Sequence, residues 1–127
     1  HVALLAKNNE VRKIINKFQI KIIKSNKKIC VEGRDIASKI LVKNPQYDLA
    51  FYFKCNINIA SHRRWIDIKK KVPLKQVKTS LRKRTQMDKK RKNSPLIKVK
   101  DAILIRTDKL SKKQVLSKMS KFIENIN

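Results

Sequence analysis

Glycine is nearly missing: Gly33 is the only one in 127 residues. A Walker A loop, G-x-x-x-x-G-K-[ST], and a G-x-G-x-x-G turn both need several glycines, so neither exists in this sequence. An anion must be met by arginines and helix ends instead of a glycine-rich cradle. Cysteine is scarce as well. Cys30 and Cys55 sit in separate apolar runs, and the expectation is buried small hydrophobes in a reducing, cytoplasmic setting, not a disulfide framework. The two histidines, His1 and His62, give no ligand spacing, so no metal site built of protein side chains is expected. No apolar run approaches the length of a membrane span, and no signal peptide is visible, so no membrane is expected as a partner. The chain opens on His1 without an initiator Met, and the expectation is a trimmed N-terminus or a piece of a longer frame.

Acidic residues are the last scarcity. Nine Asp and Glu face 34 Lys and Arg, a net charge of +25. A field of that sign draws polyanions: nucleotides, nucleic acid or acidic lipid surfaces. Lys, Ile and Asn dominate together, as AT-rich coding produces, so any single lysine reads equally well as solvated filler. The densest stretch is Lys69 to Lys100, with fourteen basic residues and one acid, Asp88.

What is present organises itself around Val31-Glu32-Gly33-Arg34-Asp35. A lone glycine after the apolar run Ile29-Cys30-Val31 marks a sharp turn or a close approach. A cation and an anion follow at once, suited to a ligand that offers both a phosphate and a hydrogen-bond donor.

Hydrophobic spacing predicts the elements. Glu10 to Lys24 carries Val11, Ile14, Ile15, Phe18 and Ile22 at helical intervals. Ser25 to Lys27 breaks it, and Lys28 to Glu32 reads as a strand. Asp35 to Val42 is either a short helix or extended. A loop spans Lys43 to Asp48, with a turn near Asn44-Pro45. Leu49 to Phe53 suits a strand covered on both faces, as in parallel sheets. Asn56 caps a helix to about Lys71, and Pro73 opens the next, to about Lys92, which Asn93-Ser94-Pro95 stops. Ala102 to Ile105 is a third buried strand. Ser111 with Gln114 forms a capping box, and the last helix puts Val115, Leu116, Met119, Phe122, Ile123 and Ile126 on one face. This order indicates an α/β protein with a mostly parallel sheet and a single domain.

The Pro73–Lys92 helix holds charge in an unexpected place. Leu74, Val77 and Leu81 define an apolar stripe that continues into Arg84, Asp88 and Arg91. Charges that extend a buried stripe project inward or into a cleft. A lone Asp88 there would accept from a sugar hydroxyl or from the arginines, and planar guanidinium groups would meet a phosphate or a base edge. An internal Arg–Asp–Arg anchor is the equal alternative. A basic helix lying along nucleic acid is a third, less natural because an acid would sit mid-face.

With these positions in view, the chain resembles the C-terminal part of bacterial cytidylate kinase, in order, over essentially all 127 residues. The resemblance rests on Val11-Arg12 with Gln19, on Glu32-Gly33-Arg34-Asp35-Ile36, and on His62-Arg63-Arg64. It continues through Arg84, Asp88 and Arg91 with Ser94-Pro95-Leu96, and closes with Asp101-Ala102-Ile103-Leu104-Ile105 and the terminal helix. It implies a parallel-sheet nucleoside monophosphate kinase fold of the P-loop NTPase kind, incomplete here. Residues 1–127 would be one portion of a single domain, with a lid region at about 60–75. It implies transfer of the terminal phosphoryl group of ATP to CMP or dCMP with magnesium. Arg34 then matches an arginine that holds the acceptor phosphate and Asp35 the aspartate that reads the cytosine amino group. Arg12 and Arg91 match arginines near the base, and Arg84 and Asp88 residues at the sugar. Arg63 and Arg64 belong to the lid side, where arginines meet the transferring phosphates. Such chemistry rests on positioning and charge neutralisation, not on a protein nucleophile.

The sequence departs from that pattern at Ala3, Ala37, Ala60, Thr85 and Arg106, and no P-loop or P-loop strand is among these residues. That strand would lie between Lys28–Glu32 and Leu49–Phe53, so a gap in the sheet is expected. The chain alone is expected to be inactive and to need a complementary N-terminal fragment. The alternative reading is a basic nucleic-acid-binding protein, and a third is a purely structural subunit that completes such a fragment.

Overall fold

The computed structural model describes residues 8–43 and 45–126. Ala3, one of the departures from the family pattern, and Asn44 of the expected turn lie outside the described residues. Helix α1 (Asn9–Lys24) starts where Asn8 Oδ1 accepts the amide hydrogens of Glu10, at 2.9 Å, and Val11, at 3.3 Å. That satisfies two of the donors a helix start leaves open. After an irregular stretch comes a π-helical turn (Ile36–Ile40), resolving the ambiguity between helix and extended chain at Asp35 to Val42. Strand β1 (Phe51–Lys54) leads into α2 (Ile57–Asp67), capped by Asn56 through the Asn58 amide at 2.8 Å. Helix α3 (Leu74–Lys90) follows Pro73, β2 (Ile103–Arg106) comes next, and α4 (Lys112–Glu124) ends the order. The expected capping box is complete: Gln114 N donates to Ser111 Oγ, and Ser111 N to Gln114 Oε1.

The sheet is α/β in kind: β1 and β2 run parallel, Phe51 opposite Ile103 through Lys54 opposite Arg106. Ile103 N donates to Ala50 O, and Thr107 N to Lys54 O, which carries the ladder one bond past each end. α2 and α3 pack on each other as a hairpin between the two strands. Its connection includes two lysines with left-handed backbone, Lys69 (φ 54°) and Lys70 (φ 57°). Ile105 is fully buried, with Ala50, Ala102 and Val77 also in the interior. A second cluster joins Ile23 of α1 to Ile40 and Leu41, with Ile20, Val31, Ile36 and Tyr47 against it.

Three expectations are corrected. Lys28 to Glu32 forms no strand. A strand needs a neighbour for its N–H and C=O groups, and among the described residues no strand stands between this segment and β1. The strands are likewise not covered on both faces: Phe53 is 50 % and Leu104 41 % exposed. Cys30 is exposed and Cys55 half-buried, so neither is a core hydrophobe. The same shortage of cover shows on the helices. Ile14, Ile15 and Phe18 of α1 and Leu116 and Ile123 of α4 face outward, although Phe122 of α4 does pack edge-on against Phe51, with ring centroids 6.2 Å apart.

Candidate acceptor-nucleotide site

The site grows from the turn at Gly33. Its φ is not positive, so glycine is not required there for handedness. It is required for room: a Cβ at this position would stand 2.5 Å from Ile36 Cγ1 and 2.9 Å from Cδ1. The chain folds tightly onto the side chain that opens the π-helical turn, and Ile36 in turn rests on the Ile23–Ile40–Leu41 cluster. The two residues after Gly33 are therefore held on a fixed base, and their side chains part.

Asp35 pairs with Arg12 of α1, Nη2 to Oδ2, with both side chains mostly buried. The Asp35 carbonyl accepts the Lys39 amide at 2.9 Å, which fixes the residue at the start of the turn. Arg34 turns to α3, where its Nη1 lies 3.3 Å from Asp88 Oδ2. Arg91 Nη1 stands 3.6 Å from the other oxygen, Asp88 Oδ1. Asp88 Oδ2 and Arg91 Nη2 are buried atoms without a hydrogen-bond partner. The Arg34–Asp88 contact is therefore ionic without being a directed hydrogen bond.

Arg91 does not reach the cluster by helical spacing. α3 ends at Lys90, and Arg91 is already extended (φ −66°, ψ 139°). Its Nε donates at 2.5 Å to the carbonyl of Ser94, a buried residue with left-handed backbone (φ 53°). Leu96 N returns to the Asp88 carbonyl at 2.8 Å. Thus the segment Arg91–Leu96 wraps the end of α3 and clamps both charged residues. In the sequence Asn93-Ser94-Pro95 reads as a helix stop, and Ser94-Pro95-Leu96 as part of the family pattern. The residue type that sits before Pro95 gave no hint that its carbonyl would orient an arginine.

Five of the eight expected residues meet here: Arg12, Arg34, Asp35, Asp88 and Arg91. Three guanidinium groups against two carboxylates leave the cluster cationic. Beside Arg12 a polar cavity of about 300 Å³ is lined by Asn9, Glu10, Lys13, Asn16 and Asn93. Asn93 Nδ2 donates to Asn9 Oδ1 across it at 2.8 Å. Arg84 is exposed and shares none of the cluster's ion pairs. Arg63 is engaged elsewhere: its Nη2 donates to the carbonyls of Thr107, Asp108 and Leu110. Arg64 is exposed on α2. Among the described residues, no group of three or more His, Cys, Asp and Glu stands together to hold a metal ion.

A family model described as cytidylate kinase matches residues 1–125. The chain belongs to the cytidylate kinase family. It is 32 % identical over 120 residues to a cytidylate kinase of Rickettsia akari, covering 92 % of this chain and 53 % of that protein. A Rickettsia rickettsii cytidylate kinase is 31 % identical with the same coverage. One from Rickettsia canadensis is 31 % identical over 121 residues, covering 93 % of this chain and 54 % of its own. The chain spans about half the length of the curated relatives it matches. These matches lend the nucleic-acid-binding alternative no support. No helix among the described residues is long and apolar enough to cross a membrane.

Proposed function

We propose that this chain provides the acceptor-nucleotide side of a cytidylate kinase, holding CMP or dCMP for phosphorylation by ATP. The observation that carries the reading is the convergence of Arg34 and Asp35 with Arg12 and with the Asp88–Arg91 pair. One turn thus offers a guanidinium and a carboxylate to the two ends of one ligand. Arg34 receives the acceptor phosphate, to which a planar fork is suited. Asp35, oriented by Arg12, accepts the N4 hydrogens of cytosine. Uracil carries an acceptor at that position and would meet the carboxylate with a lone pair, so the site discriminates against it. Asp88 and the nearby Arg84 serve the sugar, and Arg91 lies toward the base.

The work of such a site is positioning. The donor nucleotide and its magnesium, which the family implies, do not fit the residues of this chain: there is no glycine-rich loop and no cluster of metal-ligating side chains among the described residues. Arg64, exposed on α2, is the lid-side arginine left to face transferring phosphates, since Arg63 is occupied by backbone carbonyls. The proposed partner is a complementary segment that brings the phosphate loop and covers Ile14, Phe18, Leu116 and the unpaired stretch at 28–32. The proposed setting is the cytoplasm.

The test is calorimetric titration of the chain with CMP, dCMP and UMP. Tighter binding of the cytosine nucleotides than of UMP, lost in Asp35→Ala, is the expected result. Equal affinity for CMP and UMP would overturn the reading and leave the ion pairs as anchors of the fold.

A further inference from the structure

Asp88 occupies an unusual position among the charges: it touches both Arg34 and Arg91. Its two oxygens are divided between them, Oδ2 to Arg34 at 3.3 Å and Oδ1 to Arg91 at 3.6 Å. Its side chain is only 15 % exposed, whereas that of Arg34 is 39 % exposed. Arg34 is therefore the partner that opens to solvent, and Asp88 is the one that stays. The distances are long for charge-assisted hydrogen bonds, which run nearer 2.8 Å, and Asp88 Oδ2 makes no hydrogen bond. The carboxylate stands where it competes for Arg34 without binding it tightly.

We infer that Asp88 couples the two ends of the acceptor nucleotide: it holds Arg34 when the site is empty and is released toward the sugar when a phosphate takes Arg34 away. This rests on the reading of Arg34 as the phosphate ligand and Asp88 as the sugar ligand. A phosphate dianion outcompetes a single carboxylate for an exposed guanidinium. Arg34 then swings from Asp88 to the phosphate, and Oδ2, which already has no hydrogen-bond partner, loses its ionic partner as well. A ribose hydroxyl that donates to it removes that penalty. Phosphate binding thereby strengthens sugar binding, and by linkage the reverse holds equally. The device rejects nucleosides: cytidine without a phosphate meets an Asp88 still shared with Arg34.

The experiment measures cytidine affinity with and without saturating inorganic phosphate, by calorimetry, on the wild-type chain and on Asp88→Asn and Arg34→Gln. CMP is titrated into each as the reference. In the wild type, phosphate should tighten cytidine binding by about fivefold, at the low end of typical couplings. Asp88→Asn, nearly isosteric, should abolish that enhancement. Arg34→Gln should also abolish it, and should bind cytidine alone more tightly than the wild type does, a gain that loss of a purely structural ion pair does not produce. Circular dichroism establishes that each variant folds. A wild type that binds CMP but shows no effect of phosphate on cytidine overturns the coupling alone. Persistence of the effect in both variants does the same. A wild type that binds neither CMP nor phosphate overturns the nucleotide-site reading together with it.

Discussion

Arg63 Nη2 lies 2.9 Å from the carbonyl oxygen of Thr107, and the same nitrogen reaches the carbonyls of Asp108 and Leu110 at 3.2 Å. The residue that follows β1 in α2 thus closes the loop that follows β2. Asp108 returns the contact, accepting the Asn56 amide at 2.7 Å at the head of the same helix. A charged donor to neutral carbonyls contributes about 1.5–3 kcal/mol when enclosed, and less at an exposed position such as this. Arg63→Ala should therefore lower unfolding free energy by about 1 kcal/mol, read from the urea midpoint. Arg64→Ala, on the exposed side, should stay within about 0.5 kcal/mol of the parent. Equal costs would remove the distinction drawn between the two arginines.

The reason the sequence did not separate them is physical. Helix caps are local, so Asn56 and the Ser111–Gln114 box were legible from spacing alone. The carbonyls that hold Arg63 are more than forty residues away, and periodicity carries no information about them. The α3 stripe was legible only in part. At about 100° per residue, Val77, Leu81 and Asp88 lie close to one line. Leu74 and Arg84 stand about 40° to either side of it, and both are exposed. A long arginine on the flank of a stripe reaches water easily, so the stripe does not carry Arg84 into the interior. Arg91 came to the cluster by a route the stripe does not describe, through the Ser94 carbonyl. The stretch at 28–32 differs for another reason: β-propensity describes a surface that fits a neighbour, and among the described residues no strand lies beside it.

Gly33→Ala tests the base of the site. The added Cβ meets Ile36 Cγ1 at 2.5 Å, and that atom belongs to a branched side chain packed on Ile40 and Leu41. Overpacking of this kind costs about 1–3 kcal/mol. The variant should melt earlier and bind CMP more weakly, because Arg34 and Asp35 are carried on the displaced turn. Ile36→Ala removes the atoms in conflict, so in the double variant the two costs should sum to less than their separate values. Strict additivity would show that the glycine is not there for that contact.

The hairpin turn holds Lys69 at φ 54° and Lys70 at φ 57°. Each pays about 1 kcal/mol for a Cβ in the left-handed region. Lys69→Gly relieves that strain at some cost in unfolded-chain entropy, and a net gain of about 0.5 kcal/mol is expected. Lys70 differs, because its Nζ sits 4.9 Å over the Trp65 ring. That contact contributes about 0.5–1 kcal/mol at an exposed site, so Lys70→Gly should come out near zero. Chemical denaturation of the two variants side by side decides it, and a larger gain at position 70 would contradict the assignment.

The last prediction concerns alkaline pH. Tyr47, in the loop before β1, donates its hydroxyl to Asp101, 2.8 Å from Oδ1 and 2.9 Å from Oδ2, and so ties that loop to the turn before β2. The hydrogen bond to Asp101, with smaller contributions from desolvation and from the carboxylate's charge, raises the Tyr47 pKa above its ordinary value of 10.0. Between the unfolded and folded pKa values the folded chain binds the proton that the unfolded chain has lost. The stabilisation is therefore complete below pH 10 and disappears as pH climbs through the folded value. Deprotonation of the many lysines acts in the opposite direction by relieving repulsion, so a single pH profile does not isolate the tyrosine. The difference between the parent and Tyr47→Phe does. That difference should be constant from pH 7 to about 9.5 and shrink above pH 10. If it instead stays unchanged into strong alkali, the Tyr47–Asp101 bond does not contribute to holding the two segments together.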